Sequence, residues 1–418
     1  MNNYFQEIID PGNRASKLAK EIGFQSHGNN KAIHVIPHQP GNFRGGVGFI
    51  PRRHILEQML QHQTDSNDKI TDWNFAFEVE NDGAGGKPQF FTMLNSKKAF
   101  RNLGWEIITM TADDFARSGR FPVVIDNEVN AKIINNANFP MFRAMMEGYG
   151  VALQKARLVN ITGETAIMKN SITAFCDDGH SAEFTNQLTL TWGASCIGLA
   201  HRESLIDGSK IKPGQAIVGF WEPGYRCNGG TFLTTLFYNR WTPYIDLKKD
   251  GAKNIEAREF LKGLTIPSKS YARLVTSLLG WQSDGTKLSA KYNIYGIAHI
   301  TGGGLWEKFG EILPAGVGAY LATMPKPADV LLKAYAYSQG TAQELTPHEA
   351  YRTFHGGCGM LLVCDSSDVN GIITMAKGFG IKASRVGDTI ESIRREVIIN
   401  SRFGSKDRLS SLDLKTSE

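Results

Sequence analysis

Tyr292-Asn293-Ile294-Tyr295-Gly296-Ile297-Ala298-His299-Ile300, followed by Thr301-Gly302-Gly303-Gly304, is the stretch on which the reading of this chain turns. The first nine residues are rich in β-branched and aromatic side chains and read as a strand. The glycine run breaks it, and Leu305 to Ile312 resumes as a helix. A loop in that position offers free backbone N–H groups and the positive end of a helix to an anion. A plain turn fits the same residues. The loop is neither a GxxxxGK[ST] phosphate loop nor a GxGxxG dinucleotide fingerprint.

Downstream, Thr346-Pro347-His348-Glu349 is a capping box with proline at the first helical position, so a helix starts there. Met360 to Cys364 reads as a strand, Val369 to Lys377 as a helix and Ala383 to Val386 as a returning strand. Upstream, the polar turn Ile206 to Gly214 marks a boundary near 205, and Gln215 to Phe220 is a strand. In the first half, Gly41 to Gly48 is a glycine-rich loop. Trp73 to Glu80 alternates apolar and polar residues as a half-buried strand does, and runs into Asn81-Asp82-Gly83-Ala84-Gly85-Gly86-Lys87, a loop suited to positive φ. Phe121 to Asp126 is a strand. Phe139 to Leu158 is helical with interruptions at Gly148 and Gly150, and Val159 to Glu164 is a strand ending in a carboxylate. Helices and strands mixed in both halves predict an α+β protein of two domains, 1–205 and 206–404, with a frayed polar tail at 405–418.

At 418 residues the chain is too long for one ordinary core. Its net charge of +5 is spread without a run of five basic residues, which suits small anionic ligands and argues against a nucleic-acid partner. No stretch approaches the roughly 18 apolar residues of a membrane span, and the start, Met1 to Glu7, lacks the basic and apolar regions of a signal peptide. Cysteines 176, 196, 227, 358 and 364 are scattered, with no CxxC pair, as expected of free thiols in a cytoplasmic protein.

Three acidic sites in the first half, Asp82, Asp113-Asp114 and Glu164, lie at or near the ends of apolar segments. Carboxylates at strand ends can converge on one crevice and hold Mg²⁺, whose octahedron is completed by phosphate oxygens and water. Turn chemistry explains an Asp before Gly equally well. His355 and Cys358 flank glycines in Phe354-His355-Gly356-Gly357-Cys358-Gly359, where a Cys–His nucleophile pair is conceivable but poorly supported; no HExxH or zinc-ligand spacing occurs.

The residues quoted above carry a resemblance. Gly296 to Gly304 is similar to the signature of the aminoimidazole ribonucleotide synthetase (phosphoribosylformylglycinamidine cyclo-ligase) family. Glu349-Ala350-Tyr351-Arg352-Thr353-Phe354 with Gly357-Cys358-Gly359-Met360 resembles its Met-Tyr-Arg-Thr-Phe-Asn-Met-Gly-X-Gly-Met stretch. Ile206 to Gly214, Gly163-Glu164-Thr165-Ala166, Asp82 to Lys87, Asp113-Asp114 and Asp10-Pro11-Gly12-Asn13 resemble further family motifs, in family order. Three stretches depart from the pattern. The family's Ser-Gly-Leu-His-Ser-Asn-Gly-Tyr loop reads here Pro223 to Gly230, with Arg226 for the usual His. Pro267-Ser268-Lys269-Ser270-Tyr271 has Lys269 for the usual Arg, and His355-Gly356 replaces Asn-Met.

The resemblance implies a two-domain α+β fold, with the N-terminal domains pairing in a homodimer and a sandwich-like C-terminal domain. It implies ATP-dependent cyclisation of formylglycinamidine ribonucleotide, with ADP and phosphate released, in purine biosynthesis. It further implies Asp82, Lys87, Asp114, Glu164 and His299 as catalytic residues, with Mg²⁺ on Asp82, Asp114 and Glu164. ATP or substrate would contact Gly83, Gly85, Asp113, Thr165, Arg226, Asn228, Lys269, Thr301, Gly302, Gly303 and Gly304. Competing readings are another ATP-dependent enzyme of the superfamily (selenophosphate synthetase-like, thiamine monophosphate kinase-like or formylglycinamidine ribonucleotide synthetase-like) and a paralogue without turnover.

Overall fold

The computed structural model describes residues 10–36, 48–59, 74–172, 186–241, 251–404 and 407–413. The first part contains α1 (Asp10–Gln25), β1 (Ile33–Val35), β2 (Phe49–Pro51), α2 (Arg53–Met59), β3 (Phe75–Gly83), α3 (Pro88–Leu94), α4 (Lys97–Arg117), β4 (Phe121–Ala131), α5 (Phe139–Ala156), β5 (Val159–Ile167) and β6 (Leu190–His201). Strands β3, β6, β4 and β5 form a four-stranded sheet in that order, with β4 and β5 parallel and the other neighbours antiparallel. The second part contains β7 (Ala216–Trp221), α6 (Gly230–Trp241), α7 (Ala252–Leu264), α8 (Ala272–Leu278), β8 (Ile294–His299), α9 (Gly304–Glu311), β9 (Val317–Leu321), α10 (Asp329–Ser338), α11 (Pro347–Thr353), β10 (Cys358–Cys364), α12 (Val369–Gly378), β11 (Ala383–Glu391), β12 (Val397–Asn400) and β13 (Arg408–Ser410). Its seven strands run in the order β13-β12-β9-β11-β7-β10-β8. The α+β class expected from the sequence holds.

Helix α4 organises the first part. Ser96 caps it by accepting a hydrogen bond from the Ala99 N–H at 3.1 Å. Phe100, Leu103, Ile107 and Ile108 are buried along its length. It meets α5 in close contact: a Cβ on Gly104 would lie 2.3 Å from Tyr149 N, and one on Gly148 would lie 2.0 Å from the Arg101 carbonyl oxygen. Gly148 therefore does not interrupt α5 as its sequence suggested. It lets two backbones approach where any side chain would hold them apart.

Three further expectations change. Asp113 and Asp114 sit in the last turns of α4, not at a strand end, because the apolar run before them belongs to a 21-residue helix that is buried all round at that point. Strand β5 passes through Glu164 and continues to Ile167. Within the tail expected to fray, Arg408–Ser410 pairs antiparallel with β12. The capping box at Thr346 and Glu349 forms as expected. The glycine-rich loop falls within the described residues only at Gly48, and Trp73 and Cys176 lie outside them.

Candidate active site

Cross-strand partners share a face of a sheet, and successive residues alternate faces. In β3, Glu78, Glu80 and Asp82 therefore point to one face, and Phe77 and Val79 to the other. The acidic face is the one covered by helices, since it carries the buried β6 residues Ala194 and Cys196 opposite Asp82 and Glu80. Arg120 forms ion pairs with Glu78 at 3.2 Å and Glu80 at 2.9 Å. Asp82, at the loop end of the strand, has no cation within ion-pairing distance among the described residues; its carboxylate accepts only the Gly83 N–H at 2.7 Å. Burial raises its pKa, and the charge of Asp114 adds to the rise against the pull of the Gly83 bond and Arg226.

Asp114 reaches the same crevice from α4, with 17% of its side chain exposed. It accepts from Arg117 Nε at 2.7 Å and from His299 Nδ1 at 3.2 Å. Burial opposes its charge, but the His299 and Arg117 contacts prevail and hold its carboxyl at about 2. Behind His299 lies a fully buried guanidinium. Arg226 Nη2 is 2.5 Å from His299 Nε2 and 2.9 Å from Asp113, while Nη1 donates to Glu222 at 2.8 Å and to the Lys269 carbonyl at 3.0 Å. Burial and the Arg226 charge push His299 down to about 4, so its ring is neutral at neutral pH. A guanidinium can only donate, which makes Nε2 the acceptor and places the ring proton on Nδ1, facing Asp114. The arrangement is a chain in which Arg226 fixes the His299 tautomer and His299 fixes Asp114.

Asp113 also accepts the N–H groups of Tyr271 and Ala272, both at 2.7 Å, at the start of α8. Burial carries its pKa up to about 6 in spite of Arg226. Together Asp113, Glu222, Arg226 and His299 join α4 to three segments of the second part. Sequence reasoning had no signal for Glu222 or for Arg117, since neither stands in a quoted motif.

Several sequence candidates fall elsewhere. Lys87, expected at the chemistry, is wholly buried: it pairs with Glu106 at 2.9 Å and donates to Ser268 Oγ at 3.1 Å, so it ties the two parts together. Arg226, expected to meet a phosphate, has no exposed surface, and only its Nε lacks a partner. Asn228 donates to the Thr353 carbonyl at 2.8 Å, and its buried Oδ1 is unpartnered. The Lys269 side chain is exposed and lines a separate cavity.

Glu164 parts company with the other two acids. Gly83 pairs with Gly193, Gly193 with Glu128, and Glu128 with Glu164, so Glu164 shares the face of Gly83 and not that of Asp82. It also stands three strands away, about 14 Å at the usual spacing of ~4.8 Å. The convergence of Asp82, Asp114 and Glu164 on one ion therefore fails within this chain, and Thr165, whose N–H donates to Glu164 at 3.0 Å, lies on that same distant strand. Among the described residues no group of three or more His, Cys, Asp or Glu side chains is placed to hold a metal ion. Asp82 and Asp114 alone fit Mg²⁺, which commonly binds through one or two carboxylates and keeps water and phosphate oxygens for its other positions.

The glycine loop does precede a helix, with Gly303 at φ +85° and Gly304 at φ +64°. A Cβ on Gly303 would lie 2.0 Å from Glu307 Oε2, so the carboxylate of Glu307 covers the loop that was expected to receive an anion. Gly85 takes φ +53°, as its loop required, and packs near the Cys227 carbonyl. His355 spends both ring nitrogens on backbone, Nε2 on the Gly224 carbonyl at 2.9 Å and Nδ1 on the Gly357 N–H at 3.1 Å. Cys358 is buried, which raises its thiol, and with both His355 nitrogens engaged the two do not form a nucleophile pair.

Residues 281–400 match the family described as AIR synthase related protein, C-terminal domain. The phosphoribosylformylglycinamidine cyclo-ligase of Staphylococcus saprophyticus is 25% identical over 294 residues, 69% of this chain and 74% of that protein. That of Coxiella burnetii is 23% identical over 307 residues, 73% of this chain and 76% of that protein. Among solved structures, thiamine-monophosphate kinase from Stenotrophomonas maltophilia superposes with a TM-score of 0.52 at 12% identity, covering 92% of this chain and 96% of that one. The E. coli hydrogenase maturation protein HypE gives 0.50 at 14% identity, covering 94% and 96%. At such identities these two likenesses speak to the fold alone.

Proposed function

We propose that this chain, similar over residues 281–400 to the AIR synthase related proteins and at 23–25% identity to phosphoribosylformylglycinamidine cyclo-ligases, is an ATP-dependent ligase that closes a ring on formylglycinamidine ribonucleotide, releasing ADP and phosphate. The observation that carries this reading is that Asp82 of β3 and Asp114 of α4, both partly exposed, lie close enough for the charge of Asp114 to raise the Asp82 pKa, while Asp82 has no cation within ion-pairing distance among the described residues. Both positions fall in stretches similar to family motifs.

Asp82 and Asp114 would hold Mg²⁺ together with ATP phosphates. When bound, the ion would offset phosphate charge as phosphoryl transfer proceeds. Asp114 stays ionised because His299 and Arg117 donate to it, so its oxygens keep one orientation. His299, neutral and locked by Arg226, positions Asp114 and carries no charge of its own. The second part of the chain thereby sets the geometry of an acid carried by the first.

The protein is proposed to act as a homodimer through the outer face of the four-stranded sheet. Phe77 and Val79 are 41% and 63% exposed there, an apolar surface in want of cover. Among the described residues no helix is long and apolar enough to cross a membrane.

Incubation with ATP, Mg²⁺ and formylglycinamidine ribonucleotide tests the proposal: ADP and the imidazole product should appear in equal amounts. A second reading, an ATP-dependent relative with another acceptor, is favoured by Arg226, a buried ion-paired residue where the family has His, and by Glu307 over the glycine loop. ADP formed without the imidazole product would support that reading.

A further inference from the structure

Helix α4 presents Trp105 nine residues before Asp114, and nine steps of 100° place the two on opposite sides of the helix. On the Trp105 side lies a cavity of about 350 Å³ between α4, the end of α5, the segment entering α8 and the end of α12. Three cations line it: Lys155, Lys269 and Arg273. None has a carboxylate within ion-pairing distance among the described residues. Arg273 donates to the Lys155 carbonyl at 3.1 Å and lies 5.6 Å from the Phe379 ring centroid. Burial and the nearby charge of Arg157 both lower the Arg273 pKa, so the region has positive charge to spare. Trp105, Phe379 and Ile381 supply apolar lining.

The wall holding Lys269 is rigid. Ser268 is bound through N and Oγ to Glu106, at 2.9 and 2.7 Å, and the Lys269 carbonyl is held by Arg226 at 3.0 Å. The backbone is thus fixed from inside, while the Lys269 ammonium is left to face the cavity. A rigid pocket of a few hundred Å³, with aromatic lining and converging cations, suits a small ring-bearing anion.

We propose that this cavity binds an aromatic phosphate monoester of nucleotide size, its phosphate among Lys155, Lys269 and Arg273 and its ring against Trp105 and Phe379. The site is separate from the Asp82–Asp114 crevice and does not depend on the activity proposed above.

Adenosine 5′-monophosphate is the probe, titrated calorimetrically into the full chain, with inorganic phosphate as a second titrant. The expected result is saturable binding that weakens about tenfold or more in K155E and in R273E, as loss of a charge-assisted phosphate contact implies. F379A should weaken the nucleotide and leave inorganic phosphate unchanged, a variant that keeps every charge. D82N should bind the probe as the parent does. The proposal is overturned by any of three results: no saturable binding at millimolar probe, binding indifferent to K155E and R273E in chains with parental thermal stability, or binding lost in D82N and kept in R273E. Equal affinity for inorganic phosphate and nucleotide would overturn the aromatic half.

Discussion

Replacing Arg226 with alanine separates two views of this residue. If it were a phosphate contact, its loss would weaken nucleotide affinity and leave the fold alone. The structure places it instead between Glu222 and Asp113, with all three side chains buried and the guanidinium touching no solvent. Removing one partner of such a cluster strands buried carboxylates, at a cost of about 3–5 kcal/mol. Asp113 softens the loss, since its pKa is already raised to about 6 by burial and Arg226 is the largest force holding it down. Without Arg226 it rises further, and the group takes up a proton. An acid whose folded pKa lies above its unfolded value destabilises increasingly as pH rises between the two. The penalty should therefore be smaller near pH 5 than at pH 8, and at pH 7 we expect the lower end, about 3 kcal/mol. With roughly 2.1 cal/mol/K of unfolding entropy per residue, a chain of 418 residues has about 0.9 kcal/mol/K, so Tm should fall by about 3–4 °C. Urea unfolding and calorimetry at pH 5 and 8 measure both features. R226M with E222Q and D113N, which removes the charges together, should recover most of the loss. An R226A protein with unchanged Tm at both pH values, and selectively weakened ATP binding, would refute the argument.

D82N should lower ADP formation by about a hundredfold or more with the fold intact, the scale on which removal of a charged group at the reacting phosphates acts, whereas E164Q should stay within about twofold for Mg²⁺·ATP binding; similar losses in both would restore the three-acid site. For acid stability, His299 at about 4 and His355 at about 3 are both depressed from 6.5, so the stability they confer is full above pH 6.5 and is lost as pH falls. Asp113, raised to about 6, gains as pH falls from 6 to 4 and offsets His299. His355 should then contribute most to the loss between pH 6.5 and 4.5, on the order of 3 kcal/mol, with smaller losses from His27 and His201, and chemical denaturation of H355N should show a flatter pH slope; an unchanged slope would remove His355 from the account. V79K, on the exposed sheet face, should shift sedimentation from dimer to monomer without changing Tm of the monomer by more than about 0.5 kcal/mol equivalent; a parent that already sediments as a monomer would contradict the proposed dimer.

The sequence alone determined what depends on local patterning. The strand at Ile294 to His299, the break at Thr301 to Gly304 and the capped helix after Thr346 follow from side-chain shape, glycine freedom and a reciprocal cap, all of which act within a few residues. The motif stretches also made Asp82 and Asp114 candidates, and both reach one crevice. What the sequence left open was the environment of each charge. Lys87 and Arg226 look like ligand contacts on paper because each stands in a stretch that resembles a family motif. They become interior cations only because Glu106 and Glu222, distant or unmarked in sequence, are folded against them. Glu164 was lost to the metal by pairing register, which places a residue on one face of a sheet or the other and is set by partners on other strands. Burial and register are properties of assembled elements: a charge is costly or cheap according to what surrounds it in space, and only the tertiary structure brings those surroundings together.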